Sequence, residues 1–436
     1  MMSLSVRVKT RLLQLIQQLG DDPTRFVRDP KKDFTRQSRL SLTTVVSIIL
    51  SMGASSLKKE LHKAFHLDTH TPSVSALCQQ RMKIRIDAFY HLLYGLNASF
   101  ERAFYKGYSL IACDGSALSL PLVLGDGDYS YRRKRADQKD YSQIHLNALY
   151  DLVSRRYLDI VMAPRRENDE KKAFLKMLGR GTFSKKTIFV MDRGYESYDV
   201  LGSIYRMGMS FVLRAKDGAT GGIVKGFHLQ KKGEYDKTFT RIFTTRRNKT
   251  VLSQPEVYHT IRWARGRAFL DKDHPYIEMT LRILRIQIAP GTYECIITDL
   301  PADKFSLQEI KKIYRMRWGI ETSFRELKYD LSLDHIHSKK AECIQQEIVA
   351  RMVLYNFSSI ITSHVAVEKK ERRYAYQINR SMAFFLCRMF LCAPADGTPP
   401  DIEPLIAAEL LPVRPDRSYR RKIRSHPAIS FLYRPI

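Results

Sequence analysis

Two aspartates, one glutamate and three side chains that could grip a phosphate carry whatever chemistry this sequence does. Asp114 closes the apolar run YSLIACD and Asp192 closes TIFVMD, each followed by turn residues, Gly115 in one case and Arg193-Gly194 in the other. Carboxylates at the ends of buried strands stand where open α/β sheets place their sites, although Asp also ends strands as a plain turn-former. The third acid, Glu321, lies in the stretch YRMRWGIETSFRELK, residues 314–328. Wound as one helix at about 100° per residue, that stretch gathers Tyr314, Arg317, Glu321 and Lys328 into one arc of roughly 60°. Ile313, Ile320, Phe324, Leu327 and Leu331 form an apolar stripe directly beside the arc. Glu326 falls near about 120° on the same wheel, on the far side from the cluster, and is expected to be an ordinary solvated residue. Read alone, the helix is more simply an amphipathic surface helix laced with salt bridges. Together, three carboxylates on two strand ends and one helix suffice to hold two Mg²⁺ ions, or Mn²⁺ in their place, about 3.5 to 4 Å apart, which would activate a water or hydroxyl against a phosphodiester.

The rest of the composition suits a phosphodiester substrate. A chain of 436 residues has room for about two or three domains and a substantial core. Its 73 Lys and Arg stand against 45 Asp and Glu, a formal charge of +28, and a polyanion is the expected partner. The basic residues come in clusters spread over the length, RRKR at 132, RR at 165 and 246, and RSYRRKIR near the C-terminus, which favours a long folded footprint over one basic arm. No run of about 18 apolar residues occurs, and the longest candidate, 348–367, is broken by Arg351, Asn356 and His364. The N-terminus lacks a sustained apolar segment and a small-residue cleavage site, so cytoplasmic location, in association with DNA, is expected, with no membrane partner. Six cysteines without a CxxC pair read as reduced and mostly buried. His335 and His337, in DHIHSKK, have a spacing some metal sites use but no nearby Cys or His to complete a set.

Residues 1–100 read as a helical module, with Ser41, Ser73 and Asp87 as N-caps. From 101 to 216 short apolar runs of strand length alternate with helices. IHLNALYDL and RYLDIVMAP form a hairpin turning at Ser154 and Arg155, ENDEKKAFLKMLGR is a helix with acids in its first turn, and KTIFVMD and SFVLRAK are buried strands. This mixture indicates an α/β layer with one antiparallel edge. Between 217 and 290 alternating segments broken by Gly, Pro and Asn suggest an inserted β-rich subdomain. Residues 291–366 return to the core with the strand TYECIITDL, the helix from about Ser306 and another over 341–366. Residues 367–436 form a C-terminal helical and basic region, its stretch after Pro394 loosely ordered.

Asp114 in IACDGS, Asp192 in MDRGY and above all Tyr314-x2-Arg317-x3-Glu321-x6-Lys328 resemble the DDE transposases of bacterial insertion sequences, specifically the family with a Tyr-Arg-Glu-Lys signature. The likeness runs in order over roughly residues 35 to 366. It implies an RNase H-like mixed-sheet catalytic core with a β-rich insertion before the glutamate, preceded by a helical N-terminal DNA-binding domain. It further implies Asp114, Asp192 and Glu321 as catalytic metal ligands and Tyr314, Arg317 and Lys328 as contacts to DNA phosphates near the cleaved end, a task suited to the Arg fork and the Lys point charge. The expected activity is cut-and-paste transposition, cleavage at element ends followed by joining of the 3′ ends to target DNA, with a homodimer on double-stranded DNA. A metal-dependent nuclease, or a catalytically inactive DNA-binding protein on the same fold, remains the alternative. Where the family often has Thr-Asn-Leu this chain has Thr298-Asp299-Leu300, leaving Asp299 either a turn residue or an acid behind the site. Trp263, in the insertion, would either stack on an unpaired base or pack in the core.

Overall fold

The computed structural model describes residues 2–121, 129–131, 141–164, 167, 169–217, 221–230, 232–262, 269–367, 374–393 and 400–413. Trp263, the basic clusters at 132 and 165, and RSYRRKIR lie outside the described residues. The N-terminal segment folds into α1 (Leu4–Asp21), α2 (Leu42–Ser51), α3 (Leu57–Ala64), α4 (Val74–Arg81) and α5 (Asp87–Ser99). Ser41 and Ser73 cap α2 and α4 through hydroxyls that accept the Thr44 and Ala76 N–H. The expected third cap is displaced: Asp87 is the first helical residue, where its charge still faces the helix dipole, and Ile86 precedes it.

The sheet begins with β1 (Ser109–Leu120), β2 (Ser130–Tyr131), β3 (Tyr141–Asp151) and β4 (Arg156–Pro164). Strands β3 and β4 are the expected hairpin, and Arg155 takes the left-handed conformation in its turn, φ 54°. After α6 (Glu170–Arg180), β5 (Thr187–Met191), α7 (Tyr198–Arg206) and β6 (Ser210–Ala215) follow. Strand β1 pairs antiparallel to β3 and parallel to β5, and β5 pairs parallel to β6. Every residue of β5 is buried, because helices cover both faces of the parallel strands, and that is why KTIFVMD reads as one apolar run.

Residues 217–290 hold α8 (Gly222–Lys225), β7 (Tyr235–Thr244), α9 (Lys249–Ser253), β8 (Tyr258–Thr260) and β9 (Tyr276–Ala289). Their strands extend the same sheet, since β9 pairs with β10 (Thr292–Thr298) and β10 with β6. The chain then runs through α10 (Leu307–Met316), α11 (Trp318–Arg325) and the buried α12 (Ala341–Thr362), and ends in β11 (Ala375–Ile378), α13 (Arg380–Cys392), α14 (Ile402–Ala408) and β12 (Leu410–Val413). The stretch after Pro394 is therefore ordered in part, because Ile402 and Ile406 are apolar at helical spacing and bury one face of α14. Cys113, Cys295, Cys343 and Cys387 are buried thiols, and none of the six cysteines forms a disulfide.

Alternate residues of the sheet feed two cores. Leu110, Ala112, Ile188 and Val190 face the N-terminal and C-terminal helices, while Ile111, Cys113, Phe189 and Met191 face α6 and α7. The helices of the first hundred residues thus share one core with α12 and α13. A buried ion pair fixes that junction: Arg81 of α4 donates to Glu347 Oε1 of α12 at 2.9 Å and to Gln346 at 3.0 Å. His337 joins it, with its Nδ1 3.0 Å from Glu347 Oε2 and its Nε2 3.0 Å from the Ser55 carbonyl. His337 is thus a structural link; His335 pairs with Asp334 at 2.8 Å. Among the described residues no helix is long and apolar enough to cross a membrane.

Burial alone would raise the Glu347 carboxyl, but Arg81, His337 and Arg351 together outweigh it and hold the carboxyl well below the usual carboxylate range. Removing one member of a buried pair strands the other, at a cost of about 3 to 5 kcal/mol. Arg81→Met is expected to lose that much in urea unfolding. Because the folded carboxyl is depressed, its contribution is present above the ordinary glutamate value of about 4.3 and fades as pH falls through the folded value. The advantage of the wild type over Glu347→Gln should therefore shrink on acidification below about pH 4.

Candidate active site

The parallel pairing of β1 with β5 sets Cys113 opposite Met191, so the next residue on each strand, Asp114 and Asp192, emerges at the same end of the sheet. The strand end expected at Asp114 is not formed: β1 stays paired to β3 as far as Leu120, and Asp114 stands inside it, just past the last pair that β1 makes with β5, while Asp192 follows the end of β5. Each carboxylate is pinned by a nearby backbone N–H. Asp114 Oδ1 accepts the Gly115 N–H at 2.8 Å, and Asp192 Oδ1 accepts the Gly194 N–H at 2.7 Å. These bonds orient the side chains without help from distant elements.

The third acid arrives on a segment that is less regular than a single wheel assumes. Ser306 and Glu309 form a capping box at the start of α10. The helix tightens at Arg317, whose N–H reaches the Tyr314 carbonyl at 3.1 Å, and α11 restarts at Trp318. Residues Glu326–Asp330 form a π-turn, closed by the Leu331 N–H on the Glu326 carbonyl at 3.0 Å. The expected apolar stripe nonetheless holds, since Ile313, Ile320, Phe324, Leu327 and Leu331 are all buried.

Arg317 lies at the middle of the polar arc and is only 5% exposed. Its two terminal nitrogens span the acids, one 3.2 Å from Asp114 Oδ2 and the other 2.6 Å from Glu321 Oε1. The guanidinium also lies 5.8 Å from the Tyr314 ring and 5.3 Å from the Trp318 ring. Lys328, on the π-turn, extends along β1 and donates to Ser116 Oγ and the Ala117 carbonyl, both at 2.8 Å. Burial lowers the Lys328 ammonium, with Asp334 opposing. The Asp114 carboxyl is pushed up to about 6, chiefly by burial; the Gly115 N–H and Arg317 oppose that, and the charges of Asp192 and Glu321 add to it. The structure thus brings Asp114, Asp192, Glu321, Tyr314, Arg317 and Lys328 to one end of the sheet. Tyr314 and Arg317 are buried there, where the wheel had them projecting from a polar arc.

Hard oxygen donors of this kind suit Mg²⁺ or Mn²⁺, and one cationic group already bridges two of them, so the donor set fits a divalent metal. As the side chains stand, no group of three or more His, Cys, Asp or Glu among the described residues converges on one point. Beside Asp192 opens a cleft of about 700 Å³ whose lining includes Lys171, Arg193, Glu196 and Lys216.

A family model described as a transposase DDE domain matches residues 105–357, more than half of the chain. The chain belongs to this family. Curated relatives include the putative transposase InsL of insertion sequence element IS186A from Escherichia coli K12 and the transposase of insertion sequence element IS421 from Escherichia coli, each 36% identical over 58 residues. Those matches cover 13% of this chain and only 16% of the relatives' length. Among solved structures a piggyBac transposase synaptic complex with hairpin DNA aligns at a TM-score of 0.41 and 10% identity, covering 96% of this chain and 86% of that one. That likeness is too loose to assign the fold. The transposase DDE match spans Asp114, Asp192 and the whole signature stretch.

Glu326 corrects the wheel. It is buried, 2.6 Å from the Tyr355 hydroxyl of α12, 2.9 Å from Arg380 Nε of α13 and 3.0 Å from Arg155 Nη2 of the β3–β4 turn. The helix face opposite the apolar stripe is covered by elements distant in sequence, so the far side of the wheel is a second interior. Asp299 accepts the Phe211 N–H of β6 at 2.9 Å and so belongs to the strand pairing. Sequence reasoning gave no functional weight to Glu170 or His145, which lie against the glycines that follow the two aspartates. The first-turn acids of α6 read as partners of the helix dipole, which disguised Glu170.

Glu326→Gln keeps the shape but leaves two arginines without their counter-charge. It is expected to destabilise the fold by on the order of 2 to 3 kcal/mol. Urea unfolding of the purified variant measures this, and a cost within about 0.5 kcal/mol of zero, the usual range for a surface site, would return Glu326 to the solvated class.

Proposed function

We propose that this protein is a DNA transposase, cutting DNA at the ends of an insertion sequence and joining the freed 3′ ends to target DNA. The observation that carries the reading is one arginine spanning Asp114 of β1 and the helix-borne Glu321, with Asp192 following β5 beside Asp114 in the parallel register. The strand order β4-β3-β1-β5-β6, antiparallel up to β1 and parallel after it, supports an RNase H-like core. Asp114, Asp192 and Glu321 would hold a pair of Mg²⁺ or Mn²⁺ ions, which supply an activated water or 3′ hydroxyl and stabilise the leaving oxygen.

The chain's own residues do the rest. Arg317 neutralises Asp114 and Glu321 until those carboxylates are engaged, and its planar fork then lies beside them for bidentate contact with a phosphate. Tyr314 and Trp318 flank the guanidinium and limit its swing. Lys328 offers a second cation on the β1 side, and Lys171, Arg193 and Lys216 stand in the cleft beside Asp192, among the acids Glu196 and Asp199. The helical module of residues 1–100 would read the element ends, the segment 217–290 would sit near them, and residues 367–436 would add basic contacts. Two copies would act together on double-stranded DNA in the cytoplasm.

Glu321→Gln removes an anionic ligand and keeps the shape. It should nearly abolish Mg²⁺-dependent cleavage of an end-containing DNA while leaving binding of that DNA intact. Full cleavage by this variant would overturn the assignment of the three acids, and cleavage without joining to a target by the wild type would leave a nuclease. A second expectation concerns Arg317→Met, which leaves Asp114 and Glu321 facing each other uncompensated. Its melting temperature in EDTA should fall below that of the wild type, and millimolar Mg²⁺ should raise it by more than it raises the wild type. An equal rise in both proteins would separate the guanidinium from the metal position.

A further inference from the structure

The two glycines that follow the acids are crowded by the same side chain. A Cβ at Gly115 would lie 2.7 Å from Glu170 Oε1 and 2.3 Å from His145 Nε2, and a Cβ at Gly194 would lie 3.2 Å from Glu170 Oε2. One carboxylate oxygen is therefore set against the backbone just after Asp114 and the other against the turn just after Asp192. A Cβ at Gly115 would have to displace both side-chain ends, and one at Gly194 would press on Glu170 and on Asp192 Oδ1, 3.0 Å away.

Glu170 is held in place from two sides. It is the first residue of α6, behind the N-cap Asp169, whose Oδ1 accepts the Lys172 N–H at 3.0 Å. Across the sheet end its Oε1 is 3.3 Å from His145 Nε2 on β3, and His145 is opposite Ala117 in the β1–β3 register. Lys171, the next residue, donates to the Glu196 carbonyl at 3.0 Å and ties the same helix end to the turn that carries Asp192.

We propose that Glu170, braced by His145, is a positioning residue of the catalytic centre. It fixes the spacing between Asp114 on β1 and the turn of Asp192, and it adds a fourth negative charge that raises the centre's affinity for a divalent cation. The inference rests on the metal-dependent reading above. Groups that orient metal ligands typically contribute about 10- to 100-fold to metal affinity.

The test uses the full-length protein and Mn²⁺ as the probe, with free Mn²⁺ counted by electron paramagnetic resonance and no DNA present. Glu170→Gln should weaken Mn²⁺ binding about 10-fold or more while its melting temperature in EDTA stays at or above that of the wild type, since a like charge has been removed. His145→Gln, which keeps Glu170 but removes its brace, should weaken binding in the same direction by less. Gly115→Ala should weaken it too, and that effect should shrink in a Glu170→Ala, His145→Ala background, where the crowding is gone. Asp192→Asn serves as the reference. If Asp192→Asn loses Mn²⁺ and both Glu170→Gln and His145→Gln bind it like the wild type, the inference is overturned. A lowered melting temperature with unchanged Mn²⁺ affinity would assign the pair to packing alone and overturn it equally. Absence of Mn²⁺ binding in the wild type itself would overturn the metal reading first, and this inference with it.

Discussion

Like charges gathered at one end of a sheet repel, and the architecture around Asp114, Asp192 and Glu321 is organised by the need to hold them together. Arg317 supplies the immediate answer, one guanidinium with a nitrogen on each of two acids. It can do so because the helix tightens at that residue and restarts, which turns the fork inward, where a straight helix would have left it at the rim. Burial then works against the arrangement: it pushes the Asp114 carboxyl up to about 6 even with the cation present. A site that is strained electrostatically when it holds only protein charge is one that gains from binding a further cation, and this links the geometry to divalent-metal chemistry.

The signature segment is anchored on its other side by a separate set of charges. Glu326 gathers Arg155 from a β-turn, Tyr355 from α12 and Arg380 from α13, so three elements far apart in sequence meet five residues beyond Glu321. The π-turn that begins there widens the helix and lets Lys328 run back to β1. The position of Glu321 is thus set from both ends, by Arg317 before it and by the Glu326 cluster after it. Packing of Ile320, Phe324 and Leu327 between them supplies the apolar part of the same clamp.

How much of this was legible in the sequence depended on whether the governing interaction was local. The N-caps at Ser41 and Ser73, the β3–β4 turn and the apolar stripe follow from neighbours within a few residues, whereas the strand end expected at Asp114 fails because β3 pairs with β1 well beyond it. Glu326 was misread because a helical wheel knows nothing of the residues that will cover the helix, and its partners come from positions 155 and 380. Arg317 was placed on the right arc with the wrong exposure, for the same reason. The extent of the sheet was hidden too: the alternating runs of 217–290 look like a separate subdomain until β9 is seen to pair with β10. His337 offered a metal-like spacing, and only the fold shows that its partners are Glu347 and Ser55.

The glycines at 115 and 194 show how a small residue can report on a large one. In a chain read alone, Asp-Gly and Asp-Arg-Gly are turn sequences, and glycine there needs no further reason. In the fold neither glycine has a positive φ, so backbone conformation does not demand them. At Gly115 space is the constraint, because Glu170 and His145 lie where a Cβ would fall; at Gly194 Asp192 and Glu170 only stand close to that position. Two positions far apart in sequence are therefore constrained by one acid that belongs to neither turn. That acid stands beside both glycines, whose N–H groups hold the aspartates' own side chains in place. Displacing it would shift the acids' supports before it touched the acids, which makes the support of the centre, as well as its ligands, part of what the sequence has to specify.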